Sequence, residues 1–94
     1  MRKQKIPSKD LPESIIQKKV IKQLEDDGWL VVKIIQTNMN GWPDLQAHKE
    51  GRTVFIECKS NGKQPGALQK YRHAQLRQQG FDVKVIYTAN NLII

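Results

Sequence analysis

Residues 41–59 read GWPDLQAHKEGRTVFIECK, and this stretch decides the fold because it contains a hairpin that specifies its own register. At its centre, Glu50-Gly51 is typical of a two-residue β-hairpin loop. A loop of that length pairs Lys49 with Arg52 and, further along the ladder, Asp44 with Glu57. Residues directly opposite on one face of a sheet have Cβ atoms roughly 4.5–5.5 Å apart. The sequence therefore predicts two carboxylates that face each other at the open end of the hairpin.

The distribution of apolar residues supports this register. Side chains alternate between the two faces of a strand, and the predicted pairing places on one face Leu45, Ala47, Val54, Ile56 and Cys58. The other face carries Asp44, Gln46, His48, Thr53, Phe55, Glu57 and Lys59. A slip of one residue would move Leu45 and Ala47 to the polar face, so the register is well specified. A bulged three-residue loop is the alternative, and it would stagger the two carboxylates.

The predicted carboxylate pair indicates a metal site. Like charges at this separation repel, and such a pair usually needs a proton or a cation between its members. Magnesium prefers oxygen ligands and keeps several waters, so the predicted ligands are Asp44, Glu57 and the backbone carbonyl of Cys58. Lys59 shares the face of Glu57 and can orient a water or stabilise charge on a phosphate. The alternatives are a turn residue at Asp44 and a solvated face or structural ion pair at Glu57 and Lys59, but the predicted opposition favours the metal site.

The charge of the chain indicates a polyanionic partner. Its 94 residues include 16 Lys and Arg against 9 Asp and Glu, which gives a formal net charge of +7. Such a surplus favours nucleic acid first and an anionic membrane second, with plain solubility as the alternative. Residues 59–80 contain several basic side chains and no acid. The predicted DNA contacts are Lys63, Lys70, Arg72 and Arg77, with Lys18 and Lys19 nearer the amino terminus.

Cysteine content and hydropathy narrow the class of protein. Cys58 is the single cysteine, which excludes an intramolecular disulfide and a cysteine-rich zinc site, and it is interpreted as a small buried residue in a reducing compartment. No apolar stretch is long enough to span a bilayer, and the basic start lacks the apolar segment of a signal peptide. The sequence therefore predicts an intracellular protein without a membrane-embedded part.

The pattern of the whole chain predicts one α/β domain over residues 13–94, preceded by a basic arm over residues 1–12. The predicted order is αβββαβ, a mixed central sheet flanked by helices, with helices over 13–27 and 67–79 and strands over 29–35, 44–48, 53–59 and 81–88. Residues 89–94 could add an edge strand or contact a partner subunit. His48 lies roughly 13 Å along its strand from Asp44, so we interpret it as exposed or facing DNA. Trp42 is interpreted as a packing or turn residue in preference to one that stacks on a base.

Four features in sequence order resemble the VRR-NUC family of the PD-(D/E)xK nuclease superfamily. They are Glu13, Gly41-Trp42-Pro43-Asp44, Glu57-Cys58-Lys59 and Gln69. The resemblance covers residues 13–88 and implies a restriction-endonuclease-like fold and a Mg²⁺- or Mn²⁺-dependent endonuclease that hydrolyses DNA. It implies that Asp44 and Glu57 bind metal, that Lys59 is catalytic, and that Gln69 positions water, Lys59 or a phosphate. It also implies that Glu13 completes the acidic cluster, although this residue is equally interpreted as an acid that stabilises the first turn of its helix.

Stand-alone members of the family are small and are encoded by viruses or bacteria. They resemble Holliday-junction resolvases, so the resemblance further implies a homodimer that acts on branched DNA in the cytoplasm of the host cell. Three other functions remain compatible with the sequence. They are a nucleic-acid-binding module without catalysis, a sequence-specific nuclease of the restriction type, and a structural or interaction protein.

Overall fold

Helices and strands follow one another in the predicted αβββαβ order. The computed structural model describes residues 11–89, Leu92 and Ile94. In that part of the chain the elements are α1 (Glu13–Asp26), β1 (Leu30–Lys33), β2 (Leu45–Lys49), β3 (Arg52–Cys58), α2 (Ala67–Gln78) and β4 (Asp82–Ile86). The predicted arm over residues 1–12 and the predicted edge strand over residues 89–94 lie mostly outside the described residues.

The described strands form one mixed sheet in the order β1-β2-β3-β4. β2 pairs antiparallel with both β1 and β3, whereas β3 and β4 run parallel. Leu45 lies opposite Ile56 and Lys49 opposite Arg52, which confirms the predicted register. The two loop residues both have positive φ, 52° at Glu50 and 78° at Gly51, which is the requirement of a type I′ turn. Glycine reaches that region without strain, so the Glu50-Gly51 dipeptide fixes the register of the hairpin.

The two helices cover opposite faces of the sheet. On one face, the α1 residues Ile16, Val20 and Leu24 pack in a cluster with the alternating apolar residues of the hairpin, Leu45, Ala47, Val54, Ile56 and Cys58. On the other face, Leu76 of α2 packs with Phe55 and Val83, and Trp42 joins this smaller cluster. The buried residues of α1 recur every four positions, and the packing role of Trp42 is confirmed. None of the described helices is long and apolar enough to cross a membrane.

β1 and β4 are shorter than predicted. The first residue of each predicted strand donates its backbone hydrogen bond to the end of the preceding helix instead. The amide of Trp29 donates to the carbonyl of Leu24 at 2.9 Å, and the amide of Phe81 donates to the carbonyl of Leu76 at 3.1 Å. These bonds belong to the Schellman endings of α1 and α2, so β1 and β4 each begin one residue later. β4 ends at Ile86 because its partner β3 ends at Cys58.

Candidate active site

The hairpin places Asp44 and Glu57 at the open end of the sheet, as predicted. Asp44 immediately precedes Leu45 and Glu57 immediately follows Ile56, which lie opposite each other in the ladder. The Asp44 carboxylate accepts a hydrogen bond from the backbone amide of Cys58 at 2.9 Å. The Asp44 carbonyl accepts another from the amide of Ile34 at 2.8 Å. Asp44 is therefore held from both neighbouring strands, with its carboxylate directed toward β3.

Glu57 is a buried carboxyl group, with 1% of its surface exposed. Its Oε1 lies 3.2 Å from Nε2 of His73, which is itself 2% exposed and lies on α2. The sequence predicted that the face carrying Glu57 is polar, and the structure shows that α2 covers this face near the end of β3. An ionised carboxylate is costly in such surroundings, so the His73 contact and the protonation state of Glu57 decide how the site is stabilised.

The pKa shifts of Glu57 and His73 both favour the neutral form of the side chain. Burial raises the pKa of the Glu57 carboxyl from 4.5 to about 8, a hydrogen bond and the charge of Asp44 add to the rise, and Lys59 opposes it. Burial also lowers the pKa of the His73 imidazole from 6.5, and Arg77 adds to this effect. A protonated Glu57 and a neutral His73 share the hydrogen bond between them. A proton on Glu57 relieves its repulsion with the Asp44 carboxylate, and it is one of the two alternatives, a proton or a cation, that the sequence predicted for such a pair.

Lys59 lies immediately beyond β3 and is mostly buried, with 15% of its side chain exposed. Its Nζ is 3.9 Å from Oε1 of Glu13, at the start of α1. The backbone amide of Lys59 donates to the carbonyl of Ile86 at 3.0 Å, which fixes its position beside β4. The structure thus brings Glu13 to the predicted catalytic lysine, where it holds the ammonium group at the end of the sheet.

Gln69 lies in the first turn of α2, and its side chain folds back on the helix end. Its Oε1 accepts a hydrogen bond from the amide of Gly66 at 2.8 Å. The oxygen therefore caps the helix, while the amide nitrogen of Gln69 remains the group that can donate to a water or a phosphate. The predicted role in positioning stays a prediction for that nitrogen.

Gly41 allows the turn before Asp44 to lie directly against α2. Its φ is +80°, and a Cβ added there would lie 2.8 Å from Cγ of Leu68 and 3.1 Å from the Leu68 backbone. A side chain cannot fit without moving the turn or the helix. The close packing of the Gly41-Trp42-Pro43-Asp44 segment against α2 thus sets the position of Asp44 relative to that helix.

The predicted DNA-binding residues fall into two structural classes. Lys18, Lys19, Lys63 and Lys70 have exposed side chains. Arg72 and Arg77 instead bond within the protein: Nε of Arg72 donates to the carbonyl of Asn40 at 2.9 Å, and Nη2 of Arg77 donates to the carbonyl of Val83 at 2.9 Å. These two guanidinium groups tie α2 to the loop after β1 and to β4. Their predicted phosphate contacts would have to use their remaining N–H groups.

Both histidines differ from what the sequence suggested. His48 is half-buried and not fully exposed, with its Nδ1 2.9 Å from Oγ1 of Thr53 across the hairpin, while the alternative that it faces DNA stays a prediction. His73 was not predicted as a site residue, although it is the buried partner of Glu57. The sequence contains one indication of its role: His73 lies four residues after Gln69, so the two residues share one face of α2. Burial under α1 raises the pKa of the Cys58 thiol to about 12, and this cysteine is confirmed as a small buried residue.

The residues present suit a hard divalent cation. Asp44, Glu57 and the Cys58 carbonyl offer oxygen donors only, the ligand type that Mg²⁺ and Mn²⁺ prefer. A cation next to Glu57 would replace the proton that burial and Asp44 now hold there. In residues 11–89, Leu92 and Ile94, no group of three or more His, Cys, Asp or Glu side chains could hold a metal ion. The remaining ligands would therefore be backbone, water or substrate oxygens.

Comparisons with known proteins agree with this geometry. No protein-family model matches the chain. A phage protein named "Putative nuclease p44", from Acyrthosiphon pisum secondary endosymbiont phage 1, is 32% identical over 75 residues, which span 79% of this chain and 81% of that protein. A solved structure described as a VRR_NUC domain superposes with a TM-score of 0.75 at 29% identity, covering 82% of this chain and 85% of that structure. With the predicted fold confirmed and the carboxylate pair at the end of its sheet, the chain belongs to the VRR-NUC family of the PD-(D/E)xK nuclease superfamily.

Proposed function

We propose that the protein is a Mg²⁺- or Mn²⁺-dependent endonuclease that hydrolyses DNA phosphodiester bonds and prefers branched DNA. The observation that carries the proposal is the buried Glu57 carboxyl beside Asp44, with the Lys59 ammonium at the same end of the sheet. A buried carboxyl next to a second carboxylate destabilises the metal-free fold when it ionises. Such an arrangement is explained by an ion that the two groups share in the active state.

The residues of the site take distinct roles in this proposal. Asp44, Glu57 and the Cys58 carbonyl would hold the cation. When bound, it would lower the pKa of a water and neutralise charge on the phosphate. His73 holds the Glu57 carboxyl through its hydrogen bond, and Glu13 holds Lys59 at 3.9 Å. The Lys59 ammonium would donate to the attacking water or to a phosphate oxygen, which stabilises the charge that develops there.

The charge distribution supports DNA as the substrate. Exposed lysines lie on α1, on the loop after β3 and on α2, namely Lys18, Lys19, Lys63 and Lys70. Because α1 and α2 cover opposite faces of the sheet, these lysines flank its open end from both sides. Binding that releases counterions from phosphates weakens steeply as salt rises. We therefore expect the affinity for DNA to fall strongly between low and physiological salt.

A homodimer would suit a branched substrate, because two symmetric sites can cut two strands. The uncovered side of the edge strand β1 supports this part of the proposal. Leu30 and Val32 are 66% and 40% exposed there, although they alternate with the partly buried Val31 in the same strand. A second copy would bury this apolar surface. The phage relative supports a site of action in the cytoplasm of the host cell.

The experiment that tests the proposal compares four-way junction, flap and linear duplex DNA of shared sequence. Each is incubated with the purified protein in Mg²⁺, in Mn²⁺ and in EDTA. The variants are Asp44→Asn, Glu57→Gln and Lys59→Met. Lys22→Met is the matched control, since Lys22 also pairs with an acid, Asp26 at 2.8 Å, but on the exposed side of α1. We expect metal-dependent cuts in the branched substrates that the three site variants lose and the control keeps.

The alternative functions predict different results. Binding without a cut product, unchanged by Asp44→Asn and Lys59→Met, would indicate a non-catalytic nucleic-acid-binding module. Cuts in plain duplex at a fixed sequence would indicate a nuclease of the restriction type. Absence of both DNA binding and Mn²⁺ binding by calorimetry would indicate a structural protein.

A further inference from the structure

A second surface feature lies directly beside the carboxylate site, where β3 and β4 end. A shallow cleft of about 160 Å³ is lined by Asn61, Gly62, Lys63, Gln64 and Tyr87. We call it the Tyr87 cleft. It is a small depression that is open to solvent, so a single flat ring could lie in it against Tyr87.

The topology places the Tyr87 cleft next to Lys59. β3 and β4 are parallel, and their last pair is Cys58 with Ile86. Lys59 and Tyr87 each follow that pair by one residue, and neighbouring strands lie roughly 4.8 Å apart. The amide of Lys59 donates a hydrogen bond to the carbonyl of Ile86 at 3.0 Å, which joins the ends of the two strands. The backbones of Lys59 and Tyr87 thus lie side by side where the two strands end.

The loop that forms the other wall is a short turn. The amide of Lys63 donates to the carbonyl of Ser60 at 3.1 Å. Gln64 is joined to α2, because its Oε1 accepts a hydrogen bond from Nζ of Lys70 at 3.4 Å. The wall therefore presents two side-chain amides, which can donate and accept hydrogen bonds, and the cation of Lys63.

Tyr87 lies outside the described aromatic cluster of this face. Trp42, Phe55 and Phe81 pack edge to face, with centroids 5.7 and 5.5 Å apart, and this described aromatic cluster does not include Tyr87. Tyr87 is 37% exposed and lines the cleft instead. Sites that bind single-stranded bases combine an exposed aromatic ring, on which the base stacks, with amide and cationic side chains. The Tyr87 cleft has this combination of residues.

We propose that the Tyr87 cleft receives one unpaired nucleobase adjacent to the scissile phosphate, with the ring of Tyr87 stacked on it. This inference rests on the proposed nuclease function and states how that site would recognise a branch. Bases inside a continuous duplex have both faces covered by their neighbours, whereas an unpaired nucleotide can offer a face to Tyr87. Asn61 and Gln64 contact the edge of the base, and Lys63 contacts its phosphate.

The test removes the base from the DNA and the ring from the protein in all combinations. The cut site is first mapped in the flap substrate, and the unpaired nucleotides flanking it are replaced in turn by an abasic analogue. For the wild-type protein we expect one such replacement to lower kcat/KM by roughly 5- to 150-fold, the range of base–aromatic stacking. Tyr87→Ala should show the same loss on the intact substrate and no further loss on the abasic one.

Two variants serve as controls in this cycle. Tyr87→Phe keeps the ring and should retain the sensitivity to the abasic position. Tyr71→Ala removes another exposed tyrosine, one that lies on α2 outside the cleft. It should therefore also retain that sensitivity. If the abasic replacement affects wild type and Tyr87→Ala equally, the inference is overturned.

A binding measurement separates this inference from the proposed function. In EDTA, 2-aminopurine at the same unpaired position should lose fluorescence on binding to wild type and to Tyr87→Phe, because stacking quenches it. It should lose far less with Tyr87→Ala. Quenching without cleavage under any metal condition would refute the nuclease and leave the cleft supported. Cleavage with quenching that is unchanged by Tyr87→Ala would refute the cleft alone. If Lys63→Gln lowers the affinity for this DNA and Tyr87→Ala does not, the cleft contacts a phosphate and no base, and the inference is overturned.

Discussion

Replacing the buried Glu57 by glutamine should stabilise the metal-free protein, and only at neutral to alkaline pH. The pKa of Glu57 is raised to about 8 in the fold, whereas in the unfolded chain it takes its ordinary value. The folded state therefore binds the proton more tightly than the unfolded state does. This contribution to stability is fully present below pH 4.5 and is lost as the pH rises through 8. The substituted glutamine is always neutral and keeps both hydrogen-bonding positions, so its contribution does not change with pH.

The size of the effect follows from the two pKa values. Each unit between 4.5 and 8 corresponds to about 1.4 kcal/mol, and the whole interval therefore corresponds to at most about 5 kcal/mol. Water that enters the site when Glu57 ionises reduces this penalty. We expect Glu57→Gln to be about 2–5 kcal/mol more stable than wild type at pH 9 and nearly equal to it at pH 5. His73 titrates in both proteins, so its contribution largely cancels in the difference.

Urea denaturation in EDTA, followed by the fluorescence of Trp29 and Trp42, measures this difference at each pH from 5 to 9. Glu25→Gln is the matched control, because Glu25 is exposed on α1, and its profile should run parallel to that of wild type. Added Mn²⁺ should flatten the wild-type profile, since the cation would take the place of the proton on Glu57. It should leave the profile of Glu57→Gln unchanged.

Two results would refute the reasoning. A difference in unfolding free energy that is constant from pH 5 to pH 9 would show that Glu57 titrates normally in the fold. A Glu57→Gln variant that is less stable than wild type at pH 9 would show that the ionised carboxylate is stabilised in the metal-free protein. Either result would remove the basis for a cation shared by Asp44 and Glu57.

The remaining predictions concern the supports of the site. His73→Leu removes the hydrogen-bond partner of a buried carboxyl and should lower the free energy of unfolding by about 1–3 kcal/mol, whereas His73→Gln should recover part of that loss; urea denaturation at pH 6 measures both. Gly41→Ala places a Cβ 2.8 Å from Cγ of Leu68 and should reduce both kcat and the free energy of unfolding. Adding Leu68→Ala to this variant should restore only part of each loss, because the Leu68 backbone also lies in contact with the new Cβ. Lys70→Gln should leave stability unchanged and reduce the slope of log K against log salt by roughly 1, measured by fluorescence anisotropy with junction DNA; an unchanged slope would remove Lys70 from the DNA contact.

The fold could be predicted from the sequence because its signals are local. The Glu50-Gly51 loop sets the hairpin register without help from the rest of the chain, and the four-residue spacing of Ile16, Val20 and Leu24 specifies the buried face of α1. The errors fell at strand ends. Trp29 was assigned to a strand by its β-branched neighbours, but its amide is used by the helix ending at Leu24. Local propensity does not show which of two adjacent elements will take a given backbone group.

The site could be predicted only in its strand half. Asp44, Glu57 and Lys59 follow from register and period alone, so the sequence locates them. The contact between Glu57 and His73 depends on how α2 lies across the sheet, and no local pattern specifies that. Arg72 and Arg77 illustrate the same limit: their charge predicted phosphate contacts, while the packing of α2 directs their guanidinium groups to the carbonyls of Asn40 and Val83.

The part of the site that the sequence did not reveal, the contact of α2 with Glu57, determines how easily this carboxyl group ionises. A carboxyl pair on an open hairpin would be hydrated, and water would reduce the cost of ionising both of its members. α2 changes this by covering Glu57, and His73 gives the covered carboxyl one neutral hydrogen-bond partner instead of a compensating charge. Asp44 receives its hydrogen bond from the Cys58 amide, while the Lys59 ammonium is held toward Glu13 at 3.9 Å. The positive charge nearest the pair is thus turned toward another acid, so a cation that binds between Asp44 and Glu57 would replace one proton without displacing a salt bridge.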